Sequence, residues 1–116
     1  MMTLQPNSDW MINIIQVGKI IGTDERNKPD YEMHTYENCR FDIEAVYSGS
    51  GNDRQLRYNG VLFLYEKYTT PFPSMDKTWL NGKVIDEDGN EFKITQIVPL
   101  RHIQSNETYG FEIEVI

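Results

Sequence analysis

The last eight residues, Tyr109-Gly110-Phe111-Glu112-Ile113-Glu114-Val115-Ile116, decide the fold class. Apolar or aromatic side chains take the odd positions, and Glu112 and Glu114 fall between them. Successive side chains of a strand point to opposite faces, so this alternation predicts a strand with one buried and one wet face. Residues 60–68 (GVLFLYEKY) follow the Asn59-Gly60 turn signal and are aromatic and β-branched. They are too short for a typical helix and begin apolar on both faces, as a central strand does. In residues 91–98 (EFKITQIV), Phe92 and Ile94 are in phase while Ile97 and Val98 are not, which predicts a bulge near Gln96. Between these runs lie Thr78-Trp79-Leu80 and Lys83-Val84-Ile85, flanked by the hairpin signals Asn81-Gly82 and Asp88-Gly89. Pro99 is expected to end its strand, because proline cannot donate to a ladder.

Upstream, residues 10–17 (WMINIIQV) and 40–47 (RFDIEAVY) read as extended, with a shorter strand at 32–36. Three stretches read as loops: the polar 22–30, the small-residue 48–53, and 69–76 with prolines on both sides of Phe72. The second is expected to open a mobile loop reaching about residue 58. No amphipathic helix, repeat or coiled-coil period emerges. Six or seven short, mainly antiparallel strands joined by Gly- and Asn-bearing turns predict an all-β chain, a small barrel or sandwich. A single β-barrel domain over residues 1–116 is the expectation.

Composition narrows the function classes. A chain of 116 residues has room for one modest core. Cys39 is the only cysteine, so no intramolecular disulfide forms and a reducing compartment is expected. No apolar run approaches the roughly 18 residues of a spanning helix, and MMTLQPNSDW has no signal-peptide pattern. An untargeted cytoplasmic chain is therefore expected. The charge is -7, from 18 acidic against 11 basic residues. That is the wrong sign for a free-standing nucleic-acid binder, whose affinity comes largely from neutralising phosphates. It suits solubility, and equally a surface that nucleic acid passes without sticking.

Candidate chemistry is sparse. Ser48-Gly49-Ser50-Gly51 lacks the Gly-Lys-Ser/Thr ending of a phosphate loop, and no helix follows it. Residues 86–91 (DEDGNE) begin like a calcium loop, but the glycine comes early and Ile97 stands where the bidentate carboxylate belongs. A hairpin turn explains them better. His34, Cys39 and His102 fall short of the four paired ligands of a structural zinc, and nothing favours a Cys39–histidine nucleophilic dyad over chance. Asn106-Glu107-Thr108 matches a glycosylation sequon and reads as a turn. Tyr58, Phe63, Tyr65, Tyr68 and Trp79 are candidate stacking platforms for single-stranded nucleic acid on an OB-like barrel, or alternatively its core. Phe72, held between Pro71 and Pro73, is either a preorganised interface anchor or a plug for the barrel end. No catalytic, cofactor-binding or metal-binding residue is assigned, and a non-enzymatic protein working through its surfaces is expected.

The ordered set VLFLYEKYTTPFPSMDKTWLNGKV (61–84), EFKITQIVP (91–99) and FEIEVI (111–116) resembles the minor capsid or head–tail connector proteins of tailed phages of Gram-positive bacteria. The resemblance covers residues 60–116 and rests on motif order. The chain departs from it by the extra KVIDEDGNE after Asn81-Gly82, which leaves the register of that hairpin open. The resemblance implies a stopper-like head-completion protein, a small β-barrel forming a ring, expected to be hexameric. Portal and adaptor proteins would lie above it and tail-terminator or tail proteins below. The ring would close the channel, and packaged DNA would pass without sequence-specific binding. It would reside in the virion, and in the host cytoplasm during assembly, with no membrane and no cofactor. A tail-terminator role is the nearest variant. By position, Ser48, Gly49, Ser50, Gly51, Asn52, Asp53 and Arg54 would project toward the channel. Pro71, Phe72, Pro73, Phe111, Ile113 and Val115 would lie at interfaces.

Overall fold

In the computed structural model, which describes residues 8–49, 51–53 and 55–116, the alternating runs become six strands. These are β1 (Asn13–Thr23), β2 (Pro29–Ser48), β3 (Gln55–Tyr65), β4 (Lys83–Ile85), β5 (Glu91–Arg101) and β6 (Thr108–Val115). All neighbours are antiparallel, and the order β1-β2-β3-β6-β5-β4 closes on itself as a barrel. No α-helix occurs among the described residues.

The inward positions of each strand form the core. Ile15, Val17, Leu62, Leu64, Val84, Ile94, Ile113 and Val115 are all essentially fully buried. Each such side chain contributes about 1.5–3 kcal/mol relative to an exposed one. Phe41 and Phe92 meet edge to face at 5.2 Å, closing one end of this core.

The seam is short. Only Gln16, Val17 and Gly18 of β1 pair with β4. Just before β4, Asn81 takes a left-handed conformation (φ 66). Asn81 N–H donates to the Ile94 carbonyl at 3.0 Å, and Ile94 N–H donates to the Gly82 carbonyl at 2.8 Å. A Cβ on Gly82 would stand 2.2 Å from the Gly18 oxygen, so only glycine lets the backbones approach this closely. The segment by which the sequence departs from the resemblance therefore supplies the strand that closes the barrel. Its register is fixed as Lys83↔Lys93, Val84↔Phe92 and Ile85↔Glu91.

Several expectations need correction. The two strands expected at 32–36 and 40–47 are one 20-residue strand, β2. It skips register against β1 between Cys39 and Tyr36, next to left-handed Asn38 (φ 58). A bulge re-aims a strand, so one β2 pairs first with β1 and then with β3. The 22–30 loop shrinks to a tight turn. The Asp24 carboxylate accepts from the amides of Arg26 (2.8 Å) and Lys28 (2.9 Å), with Asn27 left-handed. Thr78-Trp79-Leu80 belongs to a 3-10 turn, Lys77–Trp79, which buries Trp79. Pro99 does not end β5, which runs on to Arg101. From Ile94 onward β5 pairs with β6 alone, and an edge position tolerates a missing N–H. The bulge expected near Gln96 is present, between Ile94 and Gln96.

Candidate interaction site

The hairpin joining β2 to β3 outgrows the barrel. β2 pairs with β1 only as far as Cys39, and β3 pairs with β6 only from Gly60 onward. Between these limits the two strands pair only with each other, through Ile43↔Gly60, Ala45↔Tyr58, Tyr47↔Leu56 and Ser48↔Gln55. Of the expected loop at 48–58, residue 48 and residues 55–58 belong to the strands of a two-stranded arm. Of the residues assigned to a channel loop, Ser48 ends β2, Gly49 takes φ 91, and Gly51, Asn52 and Asp53 form a single 3-10 turn. Ser50 and Arg54 lie outside the described residues.

Directly opposed residues share a face of an antiparallel pair. Leu62 opposes Phe41 within the core, so the same face continues outward through Ile43, Ala45, Tyr47, Leu56 and Tyr58. Beyond the barrel that face stays largely exposed among the described residues. Ile43 is 45% exposed, Tyr47 62%, Leu56 46% and Tyr58 52%. At the root of the arm Gly60 makes room for the Phe41 ring, which an added Cβ would meet at 2.8 Å. A hollow of about 580 Å³ opens there between Ile43, Tyr58, Phe92 and Ile116.

The opposite face of the same strands carries a second surface. Arg40, Asp42, Phe63, Tyr65 and Trp10 line a groove of about 330 Å³. The Arg40 guanidinium lies 5.7 Å from the centre of the Trp10 ring and pairs with Asp42 at 3.0 Å. Phe63, Tyr65 and Tyr109 stack in a row, at 6.4 and 6.3 Å. Burial pushes the Tyr65 hydroxyl above its ordinary pKa, reinforced by Tyr109 and Glu112 and opposed by Arg40. The aromatic row is therefore edged by acid. The alternation at Phe41, Ile43 and Ala45 was the available signal for the arm, but it reads identically for a covered strand. The groove left no signal, since Trp10 reaches it from outside the sheet.

The residues expected at interfaces divide. Phe111, Ile113 and Val115 are buried in the core, and β6 pairs on both sides, with β3 and β5. Their side chains cannot meet a partner; alternation placed them correctly on one face, and that face is the inside. Phe72 is half-buried, packs on the core and stacks with Phe111 at 5.6 Å, the arrangement of a plug. Pro71 beside it is exposed and Pro73 is half-buried. The segment is stitched to β2 by paired backbone bonds between Glu37 and Thr70 (2.9 and 3.1 Å). The buried Thr69 hydroxyl adds to this, donating to the Asn38 carbonyl and accepting from Tyr65 N–H.

The other candidates have structural roles. Cys39 is fully buried, and burial pushes its thiol up to about 12, so almost no thiolate nucleophile exists near neutral pH. His34 contacts Glu32 at 2.7 Å and lies against Trp79, ring centres 5.3 Å apart. The DEDGNE run is the β4–β5 hairpin turn, its Asp86 carboxylate accepting from Asp88 N–H, Asn90 N–H and the Asn90 side-chain amide. Of the proposed stacking aromatics, Trp79 and Tyr65 are buried, Phe63 and Tyr68 half-buried, and Tyr58 exposed on the arm. No cluster of His, Cys, Asp and Glu suited to a metal occurs among the described residues, and no helix there is long and apolar enough to cross a membrane.

Comparison with known proteins adds the relatives. The profile of a family described as "Minor capsid protein" matches residues 7–115. "Uncharacterized protein ORF5" of Lactococcus phage LL-H is 31% identical over 78 residues, 67% of this chain and 65% of that protein. "Uncharacterized protein ORF5" of Lactococcus phage mv4 is 34% identical over 59 residues, 51% of each. The matched stretches thus span less than two-thirds of these relatives. No solved structure gives a significant match.

Proposed function

From the premise that this chain belongs to the phage minor capsid protein family, whose members are structural virion components, we propose that it is a head–tail connector subunit of the stopper type. In this role several copies form a ring under the portal and adaptor, close the DNA channel after packaging, and present a surface to the tail. The observation that carries the proposal is the closed barrel with a projecting arm whose apolar face is largely exposed among the described residues. A protein built this way works by fitting others, and exposed apolar patches of this kind mark such contacts. The turn at Gly49 and Gly51–Asp53 is the arm's tip and the part proposed to face the channel. The exposed Pro71 segment is proposed to meet the next ring. A net charge of -7 favours passage of DNA over retention.

A tail-terminator role uses the same ring and differs only in which neighbour the ring contacts. An OB-like nucleic-acid reading is disfavoured by Asp42 and Glu112 beside the aromatic row. Light scattering and electron microscopy of the purified protein with portal and adaptor test the proposal. It predicts a stable ring-shaped complex. A strictly monomeric protein that joins no such complex and is absent from virions contradicts it.

A further inference from the structure

The arm and the groove lie on opposite faces of the same pair of strands. Residues 43, 45, 47, 56 and 58 continue the core face, whereas Arg40, Asp42, Phe63 and Tyr65 stand on the other. A two-fold contact uses the same patch twice, whereas a head-to-tail contact needs two different patches on each subunit. This chain has two, one projecting and one concave.

We propose that the apolar face of the arm, through Tyr47, Leu56 and Tyr58, seats in the Trp10–Phe63–Tyr65 groove of a second copy of this chain, and so joins neighbours around a ring. This rests on the connector reading and names the contact that reading requires. The areas are of the right order. The exposed parts of Ile43, Tyr47, Leu56 and Tyr58 amount to several hundred Å², on the order of 400, against about 800 Å² per partner in a standard interface. One contact is thus weak in isolation, and two per subunit reinforce each other in a closed ring. Charge favours the same occupant over an anionic one. The arm face carries no ionisable group except tyrosine, so two acidic chains can meet there without pressing like charges together. Their long-range repulsion is screened by salt, so self-association tightens as salt rises. Binding to nucleic acid would weaken instead.

The test uses the full chain at increasing concentration in an analytical ultracentrifuge, with Tyr47→Ser/Tyr58→Ser as the variant. Both residues are more than half exposed, so the variant should still unfold cooperatively in urea while the self-association constant falls at least tenfold. Single variants Tyr47→Cys and Trp10→Cys are then mixed and treated with a short bismaleimide; buried Cys39 does not compete. The mixture should give the cross-linked heterodimer, and neither variant alone should match it. Unchanged association in the double variant, Tyr47→Cys linking chiefly to itself, or wild type that stays monomeric overturns the proposal. If the double variant still enters virions at the normal level, the arm contact fails while the connector reading stands. Absence of the wild type from virions removes the connector reading itself.

Discussion

Gly82 and the Gly18 carbonyl meet where two backbones cross, and no side-chain rotation can relieve an added methyl there. Gly82→Ala is expected to cost about 1–3 kcal/mol, as overpacking of a filled site does. The check is a lower urea midpoint with an unchanged m-value. Gly22 is the control, with nothing within 4 Å of its added Cβ, so Gly22→Ala should leave the midpoint nearly unmoved. Cys39 makes a second prediction. Its ordinary value is 9.0 and the folded value about 12, so the fold favours the protonated thiol. Stability is therefore full below pH 9 and declines as pH rises from 9 toward 12. Tyr36, pushed from 10.0 to about 12 by burial and by Cys39 and Glu32, adds to the decline in the same direction. At pH 8 the native protein should not react with 5,5′-dithiobis(2-nitrobenzoate), and urea should release one thiol per chain. Rapid reaction of the native protein would contradict the burial of Cys39.

The 3-10 turn that buries Trp79 is capped by Asp76, whose carboxylate accepts from the Thr78 amide at 2.9 Å and from the Thr78 hydroxyl. The Thr78 hydrogen bonds hold the Asp76 carboxyl below its ordinary value of 3.8. A depressed carboxylate stabilises above its unfolded value and loses that contribution as pH falls through the folded one. Asp76→Ala should therefore lower the urea midpoint at pH 7, and the gap from wild type should narrow as pH falls below the ordinary carboxylate value of 3.8. A gap independent of pH would remove the cap from the account. This turn also shows where sequence patterns stop. β3, β5 and β6 are legible because one-sided burial imposes the two-residue period, and the Gln96 bulge because the phase breaks. β2 reads as two strands because the left-handed kink at Asn38 interrupts the alternation. The turn at Trp79 is hidden because its buried aromatic looks like a strand residue. The arm's alternation is visible at Ile43 and Ala45, but alternation records two faces and not whether either is covered. Phe111, Ile113 and Val115, expected at an interface from the resemblance, form core instead, while Tyr47, read as strand, and Leu56, read as loop, are exposed.

For the whole molecule the consequence is a division of labour. The closed barrel removes most strand edges, and the exposed apolar surface it leaves includes the arm face and the rim around Trp10. The chain belongs to the minor capsid protein family, which supports the proposed role as a structural virion component. The barrel with its arm is the basis for proposing the head–tail junction as its place. An acidic subunit lining that channel should show no salt-sensitive affinity for a fluorescent oligonucleotide, and tight binding that weakens steeply with salt would favour a nucleic-acid protein instead. The most direct measurement is cryo-electron microscopy of the intact virion with the barrel fitted into the density. The account predicts a ring of these barrels between the portal–adaptor assembly and the tail, each arm reaching a neighbouring copy. Barrels located on the capsid shell or along the tail tube, with no ring at the junction, would contradict it.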